Sequence, residues 1–247
     1  MELKGDVILF LDREIQIVRK FRARRLTLSI RPDRPLRLTA NRTTTPHEML
    51  TFLKSNTGWI QKNISKLEAL NARYQKPDLK DGCLFPYLGE LKYFTFSKTK
   101  AAKMSCAIED GFLIIYLPDS IHPNEDSKFE IQKVLHKFFK KQAEVYLRQR
   151  LDSLILLTQL KPLSLKFGRP RTRWGSCNSK KQINLNWKLI CHAPQLIDYV
   201  IVHELCHLQF LNHSPDFWNL VGEFMPEYKV YEKTLNDEAQ LSSFLND

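Results

Sequence analysis

The sequence predicts an α+β protein. It reads as a β-rich N-terminal half with one helix, residues 1–120, and a C-terminal domain, residues 121–247, with a short antiparallel sheet and an apolar helix. Three observations carry this. Short β-rich runs, several of them alternating, dominate the first half. A helical apolar stripe follows from about residue 123 into the 150s. A nearly unbroken apolar stretch then runs from Leu196 to Leu211. At 247 residues the chain can bury a sizeable core, as one large or two small domains. Its 43% apolar and 26% charged residues are those of an ordinary globular protein.

The first strands are read at Val7–Leu11, Glu14–Phe21, Arg25–Arg31 and Leu36–Thr39. Leu26, Leu28 and Ile30 alternate with Thr27, Ser29 and Arg31, so one face is apolar. Pro32–Pro35 supplies a turn. The basic cluster from Arg19 to Arg25 joins two strands, as a solvated hairpin rim or a phosphate-binding surface. Thr45-Pro46-His47-Glu48 opens a helix, with Thr45 as N-cap, Pro46 at the first position and Glu48 closing a capping box. Its apolar period runs to about Leu70, with a break at Thr57-Gly58 and Trp59 expected in the core. Residues 71–85 are a polar connection, and strands follow at Leu84–Leu88, Leu91–Phe96, Ser105–Ile108 and Phe112–Leu117.

His122-Pro123-Asn124-Glu125-Asp126 opens a long helix, with acidic residues at its positive end. It is expected to pack on the apolar stretch at 196–211. A β segment comes next, at Leu163–Phe167, Thr172–Gly175 and Gln182–Ile190. In its last strand Ile183, Leu185, Trp187 and Leu189 alternate with Asn184, Asn186 and Lys188, which would face a cleft. An exposed edge there suits an extended peptide added as a further strand. Terminal helices are read at Pro215–Glu223 and Pro226–Phe244.

The apolar stretch carries the chemistry. Pro194 suits a first helical turn, and the run from Leu196 to Leu211 contains neither Gly nor Pro. His203, Glu204 and His207 interrupt it. Residues four apart on a helix lie about 40° apart around its axis, so both imidazoles project from one face. That spacing suits one tetrahedral Zn²⁺, with Glu204 placed to act as a general base on water. An isolated His on an apolar face is commonly a satisfied core residue. Two His and a Glu buried together need partners, and a cation satisfies all three. For a third ligand two residues stand open: His213, at the turn before the Ser214-Pro215 helix start, and Glu223 on the helix beyond. The turn favours His213.

The run Arg173-Trp174-Gly175-Ser176-Cys177, the strand through Leu185 and Trp187, His203-Glu204-Leu205-Cys206-His207 and the segment from Asn212 to Trp218 resemble the YgjP-like metallopeptidases. Arg25–Arg31 fits the same family. The resemblance implies a zincin-like catalytic domain related to SprT-like and WLM peptidases, with His203, His207 and His213 as metal ligands and Glu204 as base. Arg173, Tyr199 and Tyr228 are candidates to stabilise an oxyanion, Arg173 foremost, with a structural salt bridge as the alternative role for Arg173. Asp198 or Asp216 would steady a ligand imidazole or serve its own helix N-terminus.

The five cysteines lack a C-x-x-C pair, which argues against a zinc ribbon and a disulfide framework. No signal peptide or membrane span is visible, and a cytosolic setting is expected. The net charge of +11 points to nucleic acid as a partner beside a polypeptide substrate, or equally to a solvated surface that keeps the protein soluble. Three functional classes follow: a zinc peptidase, including one recruited to DNA-bound proteins; a nucleic-acid-associated module with structural zinc; and a non-peptidase zinc hydrolase.

Overall fold

The computed structural model describes all residues except 1–2, 5, 32–33, 74–78, 169–172, 240 and 246–247. The described chain forms two compact units, Met1–Gln75 and Lys76–Asp247.

The first unit is a sheet backed by two helices. Strands β1 (Leu3–Lys4), β2 (Val7–Phe10), β3 (Arg13–Arg19), β4 (Thr27–Arg31) and β5 (Arg34–Ala40) lie in the order β1-β2-β3-β5-β4. β3 and β5 run parallel, and every other pairing is antiparallel. The turn read at Pro32–Pro35 lies partly outside the described residues. Helix α1 (Pro46–Ser55) begins as its local chemistry requires: the Thr45 side chain accepts from the Glu48 N–H, and the Glu48 carboxylate accepts from the Thr45 N–H at 2.7 Å. It stops at Asn56, and α2 (Thr57–Arg73) resumes at once. Met49, Leu53 and Ile60 meet Ile8, Phe10, Ile15, Ile17, Leu38 and Ala40 in the core. Trp59 is half exposed rather than in the core, because Ile60 takes the inward position and one helical step turns about 100°.

In the second unit β6 (Leu84–Tyr87), β7 (Glu90–Thr99), β8 (Ser105–Glu109) and β9 (Phe112–Pro118) form a sheet in the order β6-β7-β9-β8. Helix α3 (Glu125–Thr158) starts at Asn124, whose side chain accepts from the Ser127 N–H. Its buried residues recur about every fourth position, from Ile131 through Leu135, Phe139, Ala143, Leu147 and Leu151. Phe85, Phe94, Leu113, Ile115 and Leu117 of the sheet share one core with them. That shared core explains why the chain divides near residue 75 and not at 120: the second sheet's apolar face is completed by the helix that follows it.

Strands β10 (Ser164–Gly168), β11 (Gly175–Cys177) and β12 (Gln182–Asn186) lie in the order β10-β12-β11. The sheet is mixed rather than antiparallel: β10 runs parallel to β12, and β11 antiparallel to it. The strand expected to reach Ile190 ends at Asn186, whose Oδ1 accepts from the Lys188 N–H and opens a 3₁₀ helix, Trp187–Cys191. Asn186 and Lys188 are therefore buried and do not face a cleft. Helices α4 (Pro194–Cys206), α5 (Pro215–Phe224) and α6 (Tyr228–Asp237) follow, then a short 3₁₀ turn, Ser243–Leu245, where a longer last helix was expected. Among the described residues no helix is long and apolar enough to cross a membrane.

Candidate active site

Helix α4 is buried on most sides through Leu196, Ile197, Val200, Ile201, Val202, Leu205 and Cys206. α3 packs on it, as the sequence suggests, and Arg150 of α3 clamps Asp198 with Nε–Oδ1 and Nη2–Oδ2 contacts of 2.9 and 2.7 Å. Asp198 is thus occupied with an arginine and does not support an imidazole. The helix ends at Cys206, earlier than the apolar run to Leu211 suggests, and His207 is its C-terminal cap residue. The N–H groups of Leu208, Gln209 and Phe210 bond back to the Leu205 and Cys206 carbonyls, which turns the chain. α5 then starts with the Ser214 side chain accepting from the Phe217 N–H and Pro215 in the first turn.

This turn returns His213 to the helix. The Nε2 atoms of His203 and His213 lie 3.1 Å apart. One ligating atom from each of His203, His207 and His213 falls within 4.8 Å of the others. The Phe210 carbonyl, which can only accept, lies 2.9 Å from His207 Nδ1; that nitrogen therefore carries the proton and Nε2 keeps its lone pair. Phe217 packs against all three rings, stacked on His207 at 4.4 Å and edge-on to His203 and His213 at 4.9 Å. Trp218 stacks on His213. Burial, with the neighbouring imidazoles, pulls the His203 pKa down to about 3, and burial lowers that of His207. Both rings are neutral at physiological pH, the state that binds a metal.

Glu204 sits beside this triangle. It is 5% exposed, and its Oε2 is buried without a hydrogen-bond partner. Burial raises its pKa to about 8, against an opposing pull from Arg173. Gly175 of β11 leaves the space Glu204 fills: a Cβ there would lie 2.5 Å from Glu204 Oε1 and 2.6 Å from its Cγ. Cys177, on the same strand, has its thiol pushed up to about 11 by burial and by Glu204, so it stays protonated.

A cleft of about 430 Å³ opens here, lined by Arg173, Gly175, Cys177, Tyr199, the three histidines and Glu204, with Glu232, Leu235 and Asn236 of α6. Of the oxyanion candidates, Arg173 and Tyr199 line it, whereas Tyr228 stacks on Trp218. Asp216 lies in the first turn of α5. Glu223 is not part of the histidine group. The edge of the sheet that reaches the cleft is β11, not β12. Sequence reasoning missed Gly175 as a spacer, Phe217 and Trp218 as the seat of the imidazoles, and the α6 wall. Only Phe217 and Trp218 left a trace, in the motif around His213.

The donor set suits a metal. A tetrahedral ion with Zn–N bonds of about 2.0–2.1 Å separates its ligands by roughly 3.3 Å. The 3.1 Å between His203 and His213 is close to that value. Three converging imidazoles and the unpartnered buried carboxyl group of Glu204 are polar groups that a cation and its water would satisfy.

Two solved structures are similar to part of the chain. The metallopeptidase zymogen of Methanocaldococcus jannaschii, jannalysin, is 18% identical with a TM-score of 0.35, covering 38% of this chain and 96% of that one. The metallopeptidase zymogen of Pyrococcus abyssi, abylysin, is 19% identical with a TM-score of 0.35, covering 38% of this chain and 95% of that one. No curated protein matches the chain closely enough to count as a relative. The family model for the YgjP-like metallopeptidase domain matches residues 24–238, and the chain therefore belongs to the YgjP-like metallopeptidase family.

Proposed function

We propose that the protein is a zinc-dependent peptidase in which His203, His207 and His213 hold the ion, Glu204 is the general base and Arg173 steadies the developing oxyanion. One observation carries this reading: three imidazole nitrogens converge beside a buried, unpartnered carboxylate in a cleft bordered by a strand edge. When bound, a zinc ion supplies Lewis acidity, polarising a scissile carbonyl and making water acidic near neutrality. Glu204 receives the proton of the attacking water and returns it to the leaving amine. Gly175 keeps the Glu204 carboxylate in place. β11 takes an extended substrate as an added strand, which aligns the peptide bond along the cleft. Arg173 donates to the carbonyl oxygen as its charge grows. A cytosolic setting belongs to the same reading, and the five free cysteines support it.

The test is hydrolysis of a fluorescently quenched denatured protein by the zinc-loaded chain, its chelated form and Glu204→Gln. Turnover in the loaded chain alone is expected. Equal turnover by Glu204→Gln would remove the carboxylate from the mechanism.

A further inference from the structure

We infer that the first unit carries a binding site for single-stranded nucleic acid on the turn between β3 and β4, centred on Phe21. Residues 1–75 hold 15 Lys and Arg against 7 Asp and Glu, a net +8 of the chain's +11. The hydrolytic cleft lies wholly in the second unit, so its chemistry does not account for this charge.

The turn itself is built for display. The Lys20 N–H donates to the Ala40 carbonyl at 2.9 Å, and the Ala23 N–H to the Lys20 carbonyl at 3.2 Å. Asn41 Nδ2 donates to the carbonyls of Phe21 and Ala23, at 3.4 and 3.0 Å. The Arg19 guanidinium donates to the carbonyls of Asn41, Arg42 and Thr44, which orders the neighbouring loop. The backbone is thereby tied inward while the side chains stay outside. Phe21 is 78% exposed. Lys20, Arg22, Arg24 and Arg25 on the same turn and Arg42 on the adjoining loop are exposed, and among the described residues no carboxylate pairs with any of them.

A lone exposed Phe is ordinary on a protein surface. One held out on a hydrogen-bonded turn that also carries several cations is a platform on which a base stacks while phosphates meet the charges. Four of the five cations are arginines, whose planar forks suit phosphate and stack on bases. An anionic membrane would also attract the charge, but anchoring there takes more apolar insertion than one ring supplies. Duplex DNA hides the faces of its bases, so an unpaired strand is the partner that uses both features.

The experiment is fluorescence anisotropy of the full chain with labelled oligo(dT), with a duplex of the same length, and with phosphatidylserine vesicles. Tighter binding to oligo(dT) than to duplex is expected, weakening steeply between about 50 and 200 mM salt. Phe21→Ala should weaken it roughly tenfold, while Phe21→Tyr retains it. Arg22→Glu/Arg24→Glu/Arg25→Glu should reduce binding by roughly 100-fold or more. A second variant with the same change of charge, Lys100→Glu/Lys103→Glu/Lys137→Glu, should bind within about twofold of the parent. Circular dichroism and thermal midpoints verify that each variant is folded. The inference is overturned by absent oligo(dT) binding, by vesicle binding alone, by equal losses in the two triple variants, or by an unaltered folded Phe21→Ala.

Discussion

The two units divide the molecule's resources unequally. Met1–Gln75 carries 15 basic and 7 acidic residues, and its core of Ile8, Phe10, Ile15, Leu38, Met49 and Leu53 is wholly apolar. Lys76–Asp247 carries 23 basic and 20 acidic residues, and its core encloses Glu204, His207 and His192. Buried polar groups cost stability unless partnered, so a unit that keeps them is spending stability on chemistry. Among the described residues of the first unit no charged side chain is buried, and its polarity lies on the surface. Charge and catalysis therefore mark different parts of this chain, and net charge alone says nothing about its reaction.

Substitutions that act in one unit and spare the other sharpen this contrast. The largest effect is expected at Glu204. Glu204→Gln keeps the shape and removes the proposed base, and kcat should fall by about 10² to 10⁴ with zinc uptake unchanged. Gly175→Ala comes next. Its Cβ would collide with Glu204 Oε1 and Cγ, at 2.5 and 2.6 Å. Displacing the carboxylate by about 1 Å should cost roughly 100-fold in kcat, again with zinc retained. Full activity in that variant would show that the carboxylate's position is not critical.

Stability effects are smaller. Arg150→Ala leaves Asp198 of α4 without its two charged hydrogen bonds. With the Arg150 side chain 35% exposed, solvent screening holds the cost to about 1 kcal/mol, read by urea denaturation. Thr45→Ala removes the cap of α1 and should also cost about 1 kcal/mol. Because it lies in the first unit, zinc content and hydrolysis should not change. A loss of activity there would break the contrast between the units.

The parts of this structure legible in the sequence are those set by local chemistry. The Thr45–Glu48 box, the Ser214-Pro215 start and the helical period of α3 depend on residues a few positions apart; the two starts formed as read, and α3 formed as a long helix whose buried stripe takes in Phe139 and Ala143 while Val145, expected on that stripe, is exposed. The pair His203 and His207 is legible for the same reason, since helical spacing alone places both on one face. Features set by contacts across the chain were not legible. Trp59 and Ile60 are both plausible core residues, and only the sheet beneath them decides which turns inward. Alternation predicts strand through Ile190, yet Asn186 diverts the backbone into a 3₁₀ helix and buries Lys188. The apolar run to Leu211 hides the end of α4, because Leu208, Phe210 and Leu211 continue the apolar pattern while the N–H groups of Leu208, Gln209 and Phe210 fold back to close a turn. The α6 wall of the cleft has no local signature at all.

The central claim is that His203, His207 and His213 form one metal site. Its most direct test is the zinc content of purified protein after incubation with zinc and desalting, for the parent, Glu204→Gln and His213→Ala. One zinc per chain is expected in the parent and in Glu204→Gln, with a large loss in His213→Ala. A parent chain that takes up no metal, or a His213→Ala chain that holds it as tightly, would contradict the account.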